Sequence, residues 1–87
     1  MPFRVEVVEQ TPNPNVVKFV LDRPICEGSI SFFNAAAAVQ HPVASRLFGI
    51  KGVVNVLLLR DFITVSKSPD ASWSQIKTQV RKVLESV

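Results

Sequence analysis

Residues 53–67, VVNVLLLRDFITVSK, contain two extended apolar runs separated by Arg60 and Asp61. Val53–Leu59 is almost continuously apolar, which is typical of a central strand. Phe62–Lys67 is rich in β-branched residues, which also favour a strand. A gap of two residues favours an antiparallel hairpin, although Arg-Asp lacks the glycine that tight hairpin turns prefer. The stretch therefore predicts a β-hairpin at the centre of a sheet, with a shift of register most easily placed at its turn.

Two further strands are predicted upstream, because apolar and polar residues alternate in residues 3–7 and again in 17–21. Between them lies TPNPN, residues 11–15. Each proline fixes its own φ and biases the residue before it toward an extended conformation. Asn13 and Asn15 can hydrogen-bond to nearby backbone groups and tolerate left-handed φ. The stretch is therefore expected to be a stiff, well-specified connection between two antiparallel strands.

The middle of the chain is harder to interpret from its sequence. Ser29–Phe33 is predicted to be a strand, and the alanine-rich segment Asn34–Gln40 is either extended or irregular. Pro42 suits the first position of a short helix. A glycine, either Gly49 or Gly52, is expected to end that helix.

The last element is a helix with a clear amphipathic period from Trp73 to Val87, opened by the capping-box spacing of Ser72 and Gln75. The order of elements is thus ββ(β)αββα. We expect an α+β fold in which an antiparallel sheet of four to five strands packs two helices on one face. A single domain spanning residues 1–87 is predicted, since this length leaves no room for two cores.

Composition narrows the class of protein. No apolar stretch approaches the length of a membrane span, and the N-terminus has the pattern of a strand and not of a secretion signal. A soluble, cytoplasmic protein is therefore expected. The chain has ten Lys and Arg against seven Asp and Glu. The basic residues are scattered singly, apart from the adjacent Arg81 and Lys82, and the chain has no Tyr. Nucleic-acid binding is disfavoured, because it normally needs a clustered basic face with stacking aromatics.

The chain has one cysteine, Cys26, and one histidine, His41. A single cysteine excludes an internal disulfide, and structural zinc sites and iron–sulfur clusters take about four protein ligands. A twofold dimer that pairs Cys26 and His41 from each chain would reach that count, so direct iron or cluster binding is one alternative. A Cys26–His41 dyad in a small thiol-dependent enzyme is another. We favour an inert thiol and a histidine that caps the helix at Pro42, and we predict no enzyme, since no GxSxG or CGxC-type stretch is present.

Four stretches together resemble one known family: TPNPNVVKF, HPVASRLFGIKGVVNV, DFITVSK and SWSQIK. They are similar to the N-terminal domain of Nfu/NifU-type iron–sulfur cluster scaffold proteins. That family's pattern runs TPNP-x-x-x-KF, SPLA-x-x-LF-x-I-x-GV-x-x-V, DFITV-x-K and then a tryptophan. The match covers residues 11 to about 77 in the right order and spacing. His41 stands where the family usually has Ser.

The resemblance implies an accessory role. The full-length family holds its cluster with a CxxC motif in a separate C-terminal domain, and this chain contains no CxxC. It therefore implies a non-enzymatic interaction domain for iron–sulfur cluster assembly or delivery that binds no cofactor itself, with iron or a cluster reached through a partner. The expected partners are iron–sulfur assembly proteins or a CxxC-containing scaffold, and a monomer is favoured.

Partner contacts are expected in exposed polar loops, which carry function more often than the elements they connect. The resemblance also places its motifs near such loops. The candidate partner-binding residues are Thr11, Asn13, Asn15, His41, Arg60 and Asp61.

Overall fold

The computed structural model of the protein describes residues 3–86, in which five strands and two α-helices are found. The strands are β1 (Val5–Gln10), β2 (Val16–Leu21), β3 (Ser29–Phe32), β4 (Val53–Leu59) and β5 (Phe62–Lys67). The helices are α1 (Pro42–Phe48) and α2 (Trp73–Ser86). This confirms the predicted α+β class and the order ββ(β)αββα, including the third strand. Predictions for residues 1, 2 and 87 lie outside the described residues.

The sheet has the strand order β1-β2-β5-β4-β3, and every neighbouring pair is antiparallel. Both strands of the predicted hairpin are interior, with β5 in the middle. Leu59 pairs with Phe62, so the turn is the expected two-residue one. Arg60 adopts φ 54°, the left-handed conformation that glycine usually supplies in such turns. The irregularity in register falls between Val53 and Asn55, at the opposite end of the hairpin from where we expected it.

The strand register places alternate residues of the central strands on one face, where both helices cover them. In β5, Ile63 and Val65 are fully buried opposite Phe19 and Val17 of β2. The helices bury one stripe each against this face, as their amphipathic period predicts. The buried helical residues are Val43, Ala44 and Leu47 of α1 and Ile76, Val80 and Leu84 of α2.

The other face of the sheet has no helix on it within the described chain. Val7 is 47% exposed there. The ammonium of Lys18 lies 4.1 Å from the ring centroid of Phe62 and 3.7 Å from a carboxylate oxygen of Glu9. The lysine thus covers part of an aromatic ring that the sheet leaves open to solvent.

The alanine-rich segment is irregular, one of the two alternatives open from the sequence. Ala36–Ala38 forms a single 3₁₀ turn, and the side-chain oxygen of Asn34 accepts a hydrogen bond from the Ala37 N–H at 2.8 Å. Ala38 is fully buried and belongs to the hydrophobic core. β3 ends at Phe32, one residue earlier than predicted, and Phe33 is 73% exposed.

Gly49 ends α1, and Gly52 then turns the chain into β4 at φ 98°. A methyl group at position 52 would meet the Cβ of Ala71 at 2.5 Å, whereas one at Gly28 would meet nothing within 4 Å. Position 52 therefore needs glycine both for its backbone conformation and for the close approach of residue 71.

We expect Gly52→Ala to lower the free energy of unfolding by about 1–3 kcal/mol, through strain and displacement of Ala71. The matched change Gly28→Ala is expected to stay within about 0.5 kcal/mol of the wild type. Urea denaturation of the three proteins measures both values. Equal stabilities for the two variants would contradict the role given to Gly52.

Candidate functional site

The loop between β1 and β2, residues 11–15, is organised by its own side chains. The Thr11 hydroxyl lies 2.9 Å from the carbonyl oxygens of both Asn13 and Val16. The side-chain oxygen of Asn13 accepts the Asn15 N–H at 2.9 Å, and its backbone carbonyl accepts the Val16 N–H at 3.0 Å. These bonds satisfy backbone groups that the two prolines leave outside any strand pairing. The stiff connection predicted from TPNPN is therefore present.

Two residues distant in sequence, Lys67 and Trp73, anchor this loop, and we call them the anchor residues. The Lys67 N–H donates to the Asn15 carbonyl at 2.8 Å, and its ammonium donates to the Asn15 side-chain oxygen at 3.0 Å. The Trp73 indole N–H donates to the Pro14 carbonyl at 2.8 Å. Lys67 is only 9% exposed, and its ammonium also donates to the Ser68 carbonyl at 3.3 Å. The anchor residues thus fix the loop to the end of β5 and the start of α2.

The carboxyl group of Asp70 lies close enough to Lys67 for the charge of that lysine to affect its pKa. A hydrogen bond from the Ser68 side chain lowers the pKa of Asp70 below its ordinary value, as does a second bond from its own backbone N–H. The positive charges of Lys67 and Lys51 lower the pKa further, while desolvation of the exposed carboxyl opposes the shift. Asp70 is therefore ionised at neutral pH.

Not all of the loop is available to a partner. Pro12, Asn13 and Pro14 are exposed, whereas Thr11 and Asn15 are half-buried and occupied by bonds within the protein. A small hollow of about 200 Å³ opens beside the loop, between Asn13 and Trp73. Of the loop residues predicted to bind a partner, Asn13 is thus the best placed, and that role stays a prediction for all of them.

The turn at Arg60 and Asp61 lies at the other end of the sheet, roughly 20 Å away along six residues of strand. The Arg60 carbonyl accepts N–H groups from Ile25 at 2.6 Å and Cys26 at 3.4 Å. Its own N–H donates to the Gly28 carbonyl at 3.2 Å. The backbone of the turn therefore holds the loop after β2, while both of its side chains are exposed.

His41 caps α1, as the sequence predicts. Its Nδ1 accepts the Ala44 N–H at 3.2 Å, and its ring meets that of Phe32 edge-on at 5.6 Å between centroids. The Cys26 thiol is half-buried and lies 3.2 Å from the Gly28 carbonyl, to which it donates. Within residues 3–86, no group of three or more His, Cys, Asp or Glu side chains is placed to hold a metal ion.

The six predicted contact residues therefore occupy three separate places and do not form one surface. Thr11, Asn13 and Asn15 share one end of the sheet, and the turn at residues 60 and 61 closes the other end. His41 belongs to the helical layer. A partner of ordinary size that contacts one of these places need not contact the others.

Residues 5–87 match the family described as scaffold protein Nfu/NifU, N terminal. The chain belongs to this Nfu/NifU N-terminal family. A NifU-like protein of Schizosaccharomyces pombe is 42% identical over 79 residues, covering 87% of this chain and 30% of that protein. The human mitochondrial NFU1 iron-sulfur cluster scaffold homolog is 39% identical over 74 residues, covering 83% of this chain and 29% of that protein. The chain thus spans less than a third of the length of these curated relatives.

Solved structures show the same fold. The crystal structure of protein SAV1430 from Staphylococcus aureus has a TM-score of 0.80 at 25% identity and covers 94% of this chain and 99% of that one. A NifU-like protein from Saccharomyces cerevisiae, solved by NMR, has a TM-score of 0.78 at 23% identity, with 97% and 76% of the chains covered.

Two further observations concern the cellular location of the protein. Among residues 3–86, no helix has the length and apolar character needed to cross a membrane. The human relative and NifU-like protein 5 of Arabidopsis thaliana, 39% identical over 77 residues (87% of this chain and 28% of that protein), are named as mitochondrial. The cytoplasmic location expected for this family member therefore stays a prediction.

The sequence alone does not indicate that the anchor residues hold this loop. Its patterns predict Lys67 as the end of a strand and Trp73 as one apolar position of α2. A signal was present, since the Nfu/NifU pattern requires both a lysine after DFITV and a tryptophan downstream, together with TPNP. The structure explains that combination, because the lysine and the tryptophan bind the loop that TPNP forms.

We expect Trp73→Phe to loosen residues 11–15, because phenylalanine keeps the packing but lacks the indole N–H. Loss of one such bond costs about 1 kcal/mol. Hydrogen exchange at the amides of Asn15, Val16 and Lys67 is expected to become severalfold faster. Phe33→Leu, a change of an exposed aromatic, is the control and should leave these amides unchanged. Unaltered protection in Trp73→Phe would show that the indole does not anchor the loop.

Proposed function

We propose that this chain is a non-enzymatic interaction domain of iron–sulfur cluster assembly or delivery. Membership of the Nfu/NifU N-terminal family is the observation that carries the proposal. The human relative is itself named an iron-sulfur cluster scaffold homolog. The domain acts by contacting other proteins, and an assembly protein or a CxxC-containing scaffold is the expected partner.

The proposal includes that the domain holds no cluster itself. Iron–sulfur clusters are bound mainly by cysteine thiolates, usually four of them, and the sequence has one. The Nδ1 of His41 is engaged in capping α1, which opposes its use as a ligand through that atom. Iron or a cluster then comes into contact with this domain only while it is bound to a partner protein. We further propose that the domain is a cytoplasmic monomer.

An interaction role also fits how the family's residues are used. The loop at residues 11–15 and its anchor residues form hydrogen bonds with each other, and these bonds fix the conformation of the loop. A rigid loop with exposed prolines offers a partner a surface that loses little conformational entropy on binding.

Deletion of the gene tests the role in cells. We expect the activity of iron–sulfur enzymes to fall and the activity of metal-free enzymes in the same extract to stay constant. Expression of the wild-type chain from a plasmid should restore the former. Iron–sulfur enzymes that keep full activity after deletion, under both iron-rich and iron-poor growth, would contradict the proposed function.

A pull-down with the tagged chain identifies the partner and tests the loop. We expect an iron–sulfur assembly protein to be recovered, and Asn13→Ala to recover less of it. Gln40→Ala, a change of an exposed amide in the turn before α1, is the matched control. Recovery of no assembly protein by the wild-type chain would contradict the proposal.

A further inference from the structure

A groove with a volume of about 790 Å³ lies between α1 and α2. Its apolar lining residues are Ile50, Ile76 and Val83, and neutral polar side chains of α2 line much of the rest. Along α2 it runs from residue 74 to residue 86. At 1.5 Å per residue this length is roughly 18 Å, or about three helical turns.

The rim of the groove carries positive charge from three different elements. Arg46 comes from α1, Lys51 from the turn before β4, and Lys82 from α2. All three are exposed. No acidic residue lines the groove within residues 3–86. The only acid of α2, Glu85, borders a different hollow, beside Arg4 and Asp22.

The protein itself leaves these cations largely uncompensated. Among the described residues, none of the three forms an ion pair within 4.0 Å. Arg46 donates a hydrogen bond to the Ser86 hydroxyl at 3.2 Å, and Lys51 is near enough to Asp70 to lower the pKa of that carboxyl. Apolar surface beside cations that form no ion pair among residues 3–86 is complementary to a segment with an apolar stripe flanked by carboxylates.

We propose that this groove is the docking site for an acidic amphipathic helix of a partner protein. A helix is favoured over a strand, because the hydrogen-bonding edges of the sheet belong to β1 and β3 and not to the groove. A helix of about three turns matches the open length, and its apolar stripe reaches Ile50 and Val83 while its acidic flanks reach the rim.

Other occupants fit the groove less well. No aromatic side chain lines it, so it lacks the stacking surface that single-stranded nucleic acid uses. A second copy of this chain does not supply the partner, since its seven acidic residues are scattered and its longer helix carries only Glu85. The groove is separate from the loop at residues 11–15, so the two surfaces can be tested one at a time.

A synthetic peptide tests the proposal directly. The probe is a fluorescent peptide of about 14 residues, built of alanine with leucines at helical spacing on one face and glutamates on both flanks. We expect saturable binding by fluorescence anisotropy, weakening as salt rises. Amide shift changes in NMR spectra of the full chain should cluster at the groove. Absence of saturable binding, or shifts centred elsewhere, would overturn the proposal.

Two control probes separate the contributions of charge and class of ligand. The same peptide with glutamines for glutamates should bind at least about fivefold more weakly. A single-stranded DNA oligonucleotide of similar charge should bind more weakly than the acidic peptide. Equal binding of the glutamine peptide would overturn the charge argument, and tighter binding of the oligonucleotide would overturn the choice of a protein partner.

Variants on one helix give a matched comparison. Lys82→Gln is expected to weaken binding of the acidic peptide about two- to fivefold, and the triple change with Arg46→Gln and Lys51→Gln about tenfold or more. Arg81→Gln removes the same charge from the neighbouring residue, which lies outside the groove, and should change binding less than about 1.5-fold. Circular dichroism checks that all remain folded. Equal losses from positions 81 and 82 would overturn the assignment to this groove.

The docking site rests on the proposed function, because it takes this chain to be an interaction domain. Different experimental results would contradict the docking site and the proposed function. If the triple variant fully restores iron–sulfur enzyme activity in deletion cells, the groove is not the functional docking site and the proposed function stands. If deletion has no effect on those enzymes while the peptide still binds the groove, the proposed function fails and the docking site stands.

Discussion

The two-residue period of β5 places Lys67 on the same face of the sheet as Ile63 and Val65. A buried ammonium at that position loses most of its hydration, so it needs hydrogen-bond acceptors within the protein. The Asn15 side chain and the Ser68 carbonyl supply them. The constraint at the end of one central strand thus dictates where the loop between β1 and β2 must lie, and the Trp73 indole fixes it there.

Much of the fold could be predicted because its signals are local. The hairpin at residues 60 and 61, the cap at His41 and the stripe of α2 each follow from neighbours within a few positions. The anchoring of the loop could not, because Trp73 and Pro14 are 59 residues apart and Lys67 and Asn15 are 52 apart. The periodicity of a sequence does not indicate contacts between such distant residues. Only the family pattern, which contains TPNP, the lysine and the tryptophan together, is related to them.

The structure separates two surfaces that the sequence could not distinguish. One is the rigid loop at the end of the sheet, whose family motif is used largely for internal bonds. The other is the groove between the helices, where Arg46, Lys51 and Lys82 converge from distant parts of the chain. The groove could not be predicted from the sequence, because cations that are scattered singly along a chain are usually ordinary solvated charges. Only the fold brings these three together. If the chain acts as the interaction domain we propose, the separation of the two surfaces lets a contact at one leave the other open.

Anaerobic reconstitution of the purified chain with iron and sulfide tests most directly whether this domain works through contact and not by holding a cluster. The account predicts that the desalted protein has no visible absorbance, is monomeric, and is indistinguishable from Cys26→Ala. A coloured dimer whose absorbance is lost in both Cys26→Ala and His41→Ala would contradict it. That result would instead establish a cluster bridged between two copies of the chain.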